Sequence, residues 1–85
     1  MKATDIYCQA IKRTFAQLYG VPPSMVDVTW SNDSDTIVVR CAGKTFIHLI
    51  LSGTDDHAPE FHCISEDPVV VTLSEDERNQ LERAI

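Results

Sequence analysis

Side chains able to do chemistry crowd into one segment of the sequence, residues 53–63, which reads GTDDHAPEFHC. Its polar and ionisable residues are Asp55, Asp56, His57, Glu60, His62 and Cys63. Carboxylates, imidazoles and thiols bind metal ions, transfer protons or act as nucleophiles. The segment therefore raises three alternatives: a metal site, a catalytic loop, or an acidic turn between two strands.

The metal alternative has few ligands. His57 and His62 have the H-x4-H spacing found in zinc modules, but no C-x-x-C pair accompanies them, and structural zinc sites usually need four Cys or His ligands. If residues 60–65 form a strand, His62 and Cys63 point to opposite faces and cannot share one ion. We therefore expect no metal and no cofactor. A weak site built from His57, His62 and a carboxylate remains an alternative.

The catalytic alternative lacks a recognisable site. Adjacent carboxylates such as Asp55 and Asp56 rarely aim at one reacting atom, and no G-x-S-x-G motif is present. A nucleophilic pair of Cys63 or Cys41 with His48 would need an electropositive setting. The surrounding half of the chain is acidic, so we predict that the protein is not an enzyme.

Charge is divided unevenly along the 85 residues, whose net charge is −6. Residues 1–44 carry five basic and four acidic side chains, whereas residues 45–85 carry two basic and nine acidic ones, a net charge of −7. Nucleic-acid affinity comes largely from Lys and Arg neutralising phosphates, so direct nucleic-acid binding is not expected. The acidic half favours encounter with a basic protein surface.

Periodicity predicts the elements that position these residues. An N-terminal helix capped by Thr4 has an apolar stripe of Tyr7, Ala10, Ile11, Thr14, Phe15 and Leu18. Gly20 should end it. Ser74 and Glu77 match a capping box, which starts a short and peripheral C-terminal helix.

Between the helices, alternating patterns predict strands over 25–30, 36–41, 44–51, 60–65 and 69–72, with turns at 31–35, 42–43 and 66–68. The predicted fold class is α+β: an N-terminal helix, an antiparallel β-meander of four to five strands and a short C-terminal helix, in the order α-β-β-β-(β)-β-α. The whole chain, residues 1–85, is expected to form a single compact domain.

The third strand, TFIHLIL, is apolar on both faces. We expect one helix on each face of the sheet, and the C-terminal helix has few apolar residues to cover its side. The side bearing Phe46, His48 and Ile50 should then be incompletely covered, which is typical of a binding or dimer surface. The predicted partner-binding residues are Phe46, His48, Ile50, Asp55, Asp56, Glu60, Glu66 and Asp67, with Val38 and Val70 extending the strip.

Composition limits the setting of the protein. No apolar run approaches the ~18 residues of a membrane span, and three cysteines without a close pair indicate reduced thiols. A cytoplasmic protein that does not bind membranes is therefore expected.

These observations predict a small acidic protein-binding module, an inhibitor or regulator that could occupy the basic nucleic-acid-binding surface of its target. Its size and charge resemble phage-encoded inhibitors of bacterial defence nucleases. Its element order and acidity resemble those of bacterial secretion chaperones, and this resemblance implies an acidic homodimer. The chaperone-like homodimer is one alternative to the inhibitor, and a metal-binding protein that uses His57 and His62 is the other. No shared motif accompanies either resemblance.

Overall fold

The computed structural model describes residues 3–31, 35–49 and 58–84 of the chain. In chain order the elements are α1 (Ala3–Tyr19), β1 (Asp27–Ser31), β2 (Thr36–Cys41), β3 (Lys44–Leu49), β4 (Glu60–Cys63), β5 (Glu66–Val70) and α2 (Glu75–Ala84). A short 3-10 helix over Pro23–Met25 precedes β1. The predicted α+β fold, with an N-terminal helix, five antiparallel strands in one sheet and a short C-terminal helix, is confirmed.

The five strands form one sheet in chain order, and every neighbouring pair is antiparallel. The turn between β2 and β3 has only two residues, Ala42 and Gly43, with φ angles of 53° and 74°. Two successive positive φ angles define the type I′ hairpin turn, whose twist matches that of the flanking strands. The tight turn predicted at 42–43 is therefore confirmed.

Helix α1 packs on one face of the sheet, which we call the inner face. The Phe15 ring lies 4.9 Å from that of Phe46 and 5.7 Å from that of Phe61, and the Tyr7 ring lies 6.2 Å from that of Trp30. Buried apolar residues line this interface: Ile6, Ala10, Ile11, Phe15, Ala16, Val26, Ile37, Val39, Cys41, Phe46, Phe61, Val69, Val71, Leu73 and Leu81. The core thus lies between α1 and the inner face.

The boundaries of α1 agree with the prediction at one end only. Gly20 has φ of 65°, and the Val21 N–H donates to the Ala16 carbonyl at 3.1 Å. This is the Schellman arrangement, in which glycine takes the left-handed position after the last helical residue. Thr4 is not the cap, because α1 already begins at Ala3.

Helix α2 is attached to α1 by an ion pair. Nη1 and Nη2 of Arg13 donate to the two carboxylate oxygens of Glu77 at 2.8 and 2.9 Å. Glu77 Oε1 also accepts from the Ser74 N–H at 2.8 Å, while the Glu77 N–H donates to Ser74 Oγ at 3.2 Å. The predicted capping box is confirmed, and its carboxylate also holds the two helices together.

Several sequence-based boundaries are wrong. β1 ends at Ser31 rather than at Trp30, β4 ends at Cys63 rather than at residue 65, and β5 ends at Val70 rather than at Thr72. β5 begins at Glu66 rather than at Val69, so the turn after β4 falls at residues 64–65 instead of 66–68. β5 is an edge strand with a register shift opposite β4, and such a place tolerates Pro68, which has no N–H to donate. The first strand begins at Asp27 rather than Met25, because the 3-10 helix takes up Pro23–Met25.

Candidate functional site

The acidic segment is only partly within the described residues. Ile50, Asp55, Asp56 and His57 lie outside them. Glu60 and His62 are exposed on the face of the sheet opposite α1, which we call the outer face, and a carboxylate oxygen of Glu60 lies 3.9 Å from Nε2 of His62. Across residues 3–31, 35–49 and 58–84, no group of three or more His, Cys, Asp or Glu side chains is arranged to hold a metal ion.

The cysteines considered as nucleophiles point to the inner face. Cys41 is buried, and this burial raises the pKa of its thiol. Cys63 is half-buried with Sγ 3.6 Å from Oγ of Ser65, and the hydrogen bond with the Ser65 side chain lowers the pKa of the Cys63 thiol. Nδ1 of His48 lies 3.0 Å from the backbone oxygen of Glu60. Cys63 thus has the Ser65 hydroxyl as a polar neighbour, whereas His48 has the Glu60 carbonyl.

Phe46 is not on a surface. Its side chain is fully buried against Phe15, and its ring also lies 6.1 Å from that of Tyr19. His48 shares this inner face, is half-buried, and has its ring 5.3 Å from that of Phe61. The prediction of an incompletely covered strip is therefore wrong for Phe46, whereas His48 is half-buried. The reason is that α1 covers this face and α2 packs against α1, so the two helices lie on the same side.

Three of the exposed large apolar residues lie on the outer face, while Leu18, Met25 and Ile64 are exposed elsewhere. Ile47 and Leu49 on β3 are 47% and 57% exposed, and Val70 on β5 is 51% exposed. Val38 is the direct cross-strand neighbour of Ile47 and is half-buried. Val70 reaches the same face because it pairs with Glu60. We call Val38, Ile47, Leu49 and Val70 the outer apolar strip.

Hydroxyl and charged side chains surround this strip. Thr29, Val38, Ile47 and His62 form one row across the first four strands, because each is the register partner of the next. A second row joins Ser31, Thr36 and Leu49, and a third joins Asp27, Arg40 and Thr45. Val38, Ile47 and Leu49 therefore form an apolar centre with a polar border, as protein interfaces often do, whereas Val70 lies beyond β4, where Glu60 is its register partner.

The remaining predicted acidic residues occupy the β5 edge. Asp67 is exposed, whereas Glu66 is half-buried and forms an ion pair with Lys44. The hydrogen bond with Glu66 raises the pKa of Lys44, whose Nζ also lies 6.0 Å from the centre of the Tyr19 ring. Lys44 thus neutralises the charge of Glu66. Asp67 and Glu60 are exposed to solvent.

Sequence reasoning missed Ile47, Leu49 and Leu18 as surface residues. The alternation of the third strand separates Ile47 and Leu49 from Phe46 and His48, but that pattern does not say which face a helix covers. Leu18 fits the spacing of the helix stripe, yet it is 56% exposed. Tyr19 takes the inward position instead, with its ring 6.4 Å from that of Phe15.

Neither α1 nor α2 has the length and apolar content that crossing a bilayer would require. No protein-family model matches this sequence, and neither a curated protein nor a solved structure is significantly similar to it.

Proposed function

We propose that this protein acts by binding another protein through the outer face of its sheet, and that the partner surface is basic with apolar residues at its centre. The observation that carries the proposal is the outer apolar strip, in which Ile47, Leu49 and Val70 are each about half exposed. Such an arrangement suits an inhibitor or regulator that blocks a surface of its target.

Burial of the strip would stabilise a complex. Covering a large aliphatic side chain completely contributes ~1.5–3 kcal/mol, so covering the exposed half contributes roughly 1 kcal/mol. Three half-exposed side chains then supply roughly 3 kcal/mol, which corresponds to about a hundredfold in affinity. This is a substantial share of a binding energy, and the cost of losing it would appear mainly as faster dissociation.

Charge supports a basic partner. The second half of the chain carries a net charge of −7, and Glu60 lies on the outer face itself, beside Val70 in the strand register. An acidic field accelerates encounter with basic surfaces and disfavours acidic ones. The basic groove of a nucleic-acid enzyme is one such surface, since carboxylates can occupy positions that otherwise bind phosphates.

Site-specific photocrosslinking tests the proposal. A benzoylphenylalanine residue introduced in place of Leu49 reports on the outer face, and one in place of Gln80, which is exposed on α2, serves as the control. We expect the Leu49 probe to capture one basic protein from a lysate of the source organism. The purified partner should bind with an affinity that Ile47→Asp lowers about tenfold or more.

Two results would contradict the proposal. One is a partner that crosslinks equally at Leu49 and Gln80 and binds the Ile47→Asp variant as tightly as the unchanged protein. The other is crosslinking of the Leu49 probe to a second copy of the same chain. That result would place a homodimer interface on the outer face, as in the chaperone-like alternative.

A further inference from the structure

A groove separates the C-terminal half of α1 from the edge strand β5. It consists of two open cavities, of about 460 and 270 Å³, both of which are lined by Leu18, Pro68 and Val69. Thr14, Gln17 and Val70 complete the larger cavity, and Tyr19, Glu66 and Asp67 complete the smaller one. We call the two together the β5 groove.

The β5 groove has an apolar centre. Leu18 is 56% exposed although it lies on a helix whose other large apolar residues face the core. Pro68 is exposed opposite it, and Val69 forms the buried floor. An exposed leucine facing an exposed proline across a groove can bury apolar side chains of a partner without rearrangement of the core.

Part of the main chain at and just beyond the edge of β5 cannot pair with a partner strand. Pro68 has no N–H, and the carbonyl of Thr72, just beyond the strand, already accepts from Nη2 of Arg13 at 3.2 Å. The N–H of Val71 is directed to β4, where it donates to the Pro59 carbonyl at 2.9 Å. Pro68 and the occupied Thr72 carbonyl therefore make addition of a further strand less favourable along this part of the edge.

A negative charge lies at one end of the groove. Asp67 is exposed and forms no ion pair with any other described residue, whereas Glu66 is paired with Lys44. The Asp67 carboxylate next to an apolar groove is complementary to a ligand in which a positive charge lies beside apolar side chains. We infer that the β5 groove binds a short segment of a partner protein in which a lysine or arginine stands next to apolar residues. Val70 lines the β5 groove and also belongs to the outer apolar strip, so variants of Leu18 and of Ile47, each of which belongs to one surface only, distinguish binding in the groove from binding at the outer face.

The test uses random dodecapeptides displayed on phage and selected on the full chain, followed by affinity measurements with the selected peptides. We expect peptides with a lysine or arginine beside apolar residues, whose addition shifts the amide resonances of Leu18 and Val69. Leu18→Asp should weaken their binding about tenfold and Asp67→Lys about fivefold. Gln9→Asp adds the same charge as Leu18→Asp at an exposed position of α1 outside the groove, and it should change affinity less than twofold.

Several results would overturn the inference. Selection without enrichment would do so, as would enriched peptides whose binding is lost with Ile47→Asp and retained with Leu18→Asp, since these bind the outer face. A self-association measured by sedimentation and abolished by Leu18→Asp would show that a second copy occupies the groove. Leu18→Asp should remain folded at the assay temperature, because Leu18 is exposed, and a thermal-unfolding measurement separates lost binding from lost folding.

Discussion

Replacing Glu77 with glutamine tests how α2 is held to the rest of the fold. The Glu77 side chain is only 3% exposed, and it accepts three hydrogen bonds, two from Arg13 and one from the Ser74 N–H. Glutamine preserves the size of the side chain, but it is neutral and offers one acceptor oxygen where the carboxylate offers two. At least one of the bonds from Arg13 must then be lost.

The magnitude follows from these contacts. Hydrogen bonds to charged groups contribute ~1.5–3 kcal/mol each, but the Arg13 side chain is 37% exposed, and water screens an exposed partner. We therefore expect Glu77→Gln to lower the free energy of unfolding by about 2 kcal/mol. For a domain of this length the melting temperature should fall by about 10 °C.

Acidification should reduce the difference in unfolding free energy between the unchanged protein and Glu77→Gln. Burial alone raises the pKa of Glu77, but the hydrogen bonds from Arg13 and Ser74 and the charge of Arg13 outweigh it, so the folded-state pKa lies below the usual value. A group of this kind contributes stability above its unfolded-state pKa, near ~4.3. That contribution is lost as the pH falls through the folded-state pKa. The gap between the unchanged protein and Glu77→Gln should therefore narrow between neutral pH and pH ~3.

Urea unfolding followed by the fluorescence of Trp30, the single tryptophan, measures these free energies. Glu75→Gln is the matched control, because it removes the same charge from an exposed position in the same helical turn. It should change stability by less than ~0.5 kcal/mol. Equal effects of Glu75→Gln and Glu77→Gln at neutral pH, or a gap that widens on acidification, would refute the reasoning.

Three further predictions concern the core and the hairpin, each measured by thermal or urea unfolding. Ile11→Ala should lower the free energy of unfolding by ~2–5 kcal/mol because Ile11 is fully buried. Leu18→Ala should lower it by less than ~1 kcal/mol because Leu18 is exposed. A larger loss for Leu18→Ala than for Ile11→Ala would contradict the placement of α1. Phe46→Ala should cost ~3–5 kcal/mol, and a near-normal stability would mean that Phe46 is a surface residue after all. Ala42→Asn should stabilise by ~0.5–1 kcal/mol, because Ala42 has φ of 53° and asparagine tolerates the left-handed region better than alanine; a loss of stability would contradict the turn assignment.

Local signals in the sequence predicted the parts of the fold that depend on near neighbours. Gly20, the capping box of Ser74 with Glu77, and the two-residue turn at 42–43 each involve residues a few positions apart, and each has the predicted geometry. The limits of β2 were also predicted correctly. These features depend on backbone conformation and on hydrogen bonds between residues that are close in the sequence. The local residue types therefore predict them.

The candidate site depends on contacts between distant parts of the chain, which those signals do not contain. The third strand is apolar on both faces, so its exposed face is decided by which face α1 covers and by where α2 packs. Arg13 and Glu77, which are 64 positions apart, bind α2 to α1 on the inner face. The pairing of Arg13 with Glu77 rather than with another carboxylate could not be read from the sequence, and without it Phe46 was assigned to the wrong environment.

The affinity of the crosslinked partner for outer-face variants tests the central claim most directly. Ile47→Asp and Leu49→Asp together replace two half-exposed apolar side chains with charges, and Gln80→Asp with Glu82→Gln exchanges a charge on α2 as a control. If the outer face binds the partner, the double variant should weaken binding at least about thirtyfold while it stays folded at the assay temperature, and the control should leave the affinity unchanged. An affinity of the double variant within about twofold of that of the unchanged protein would contradict the claim.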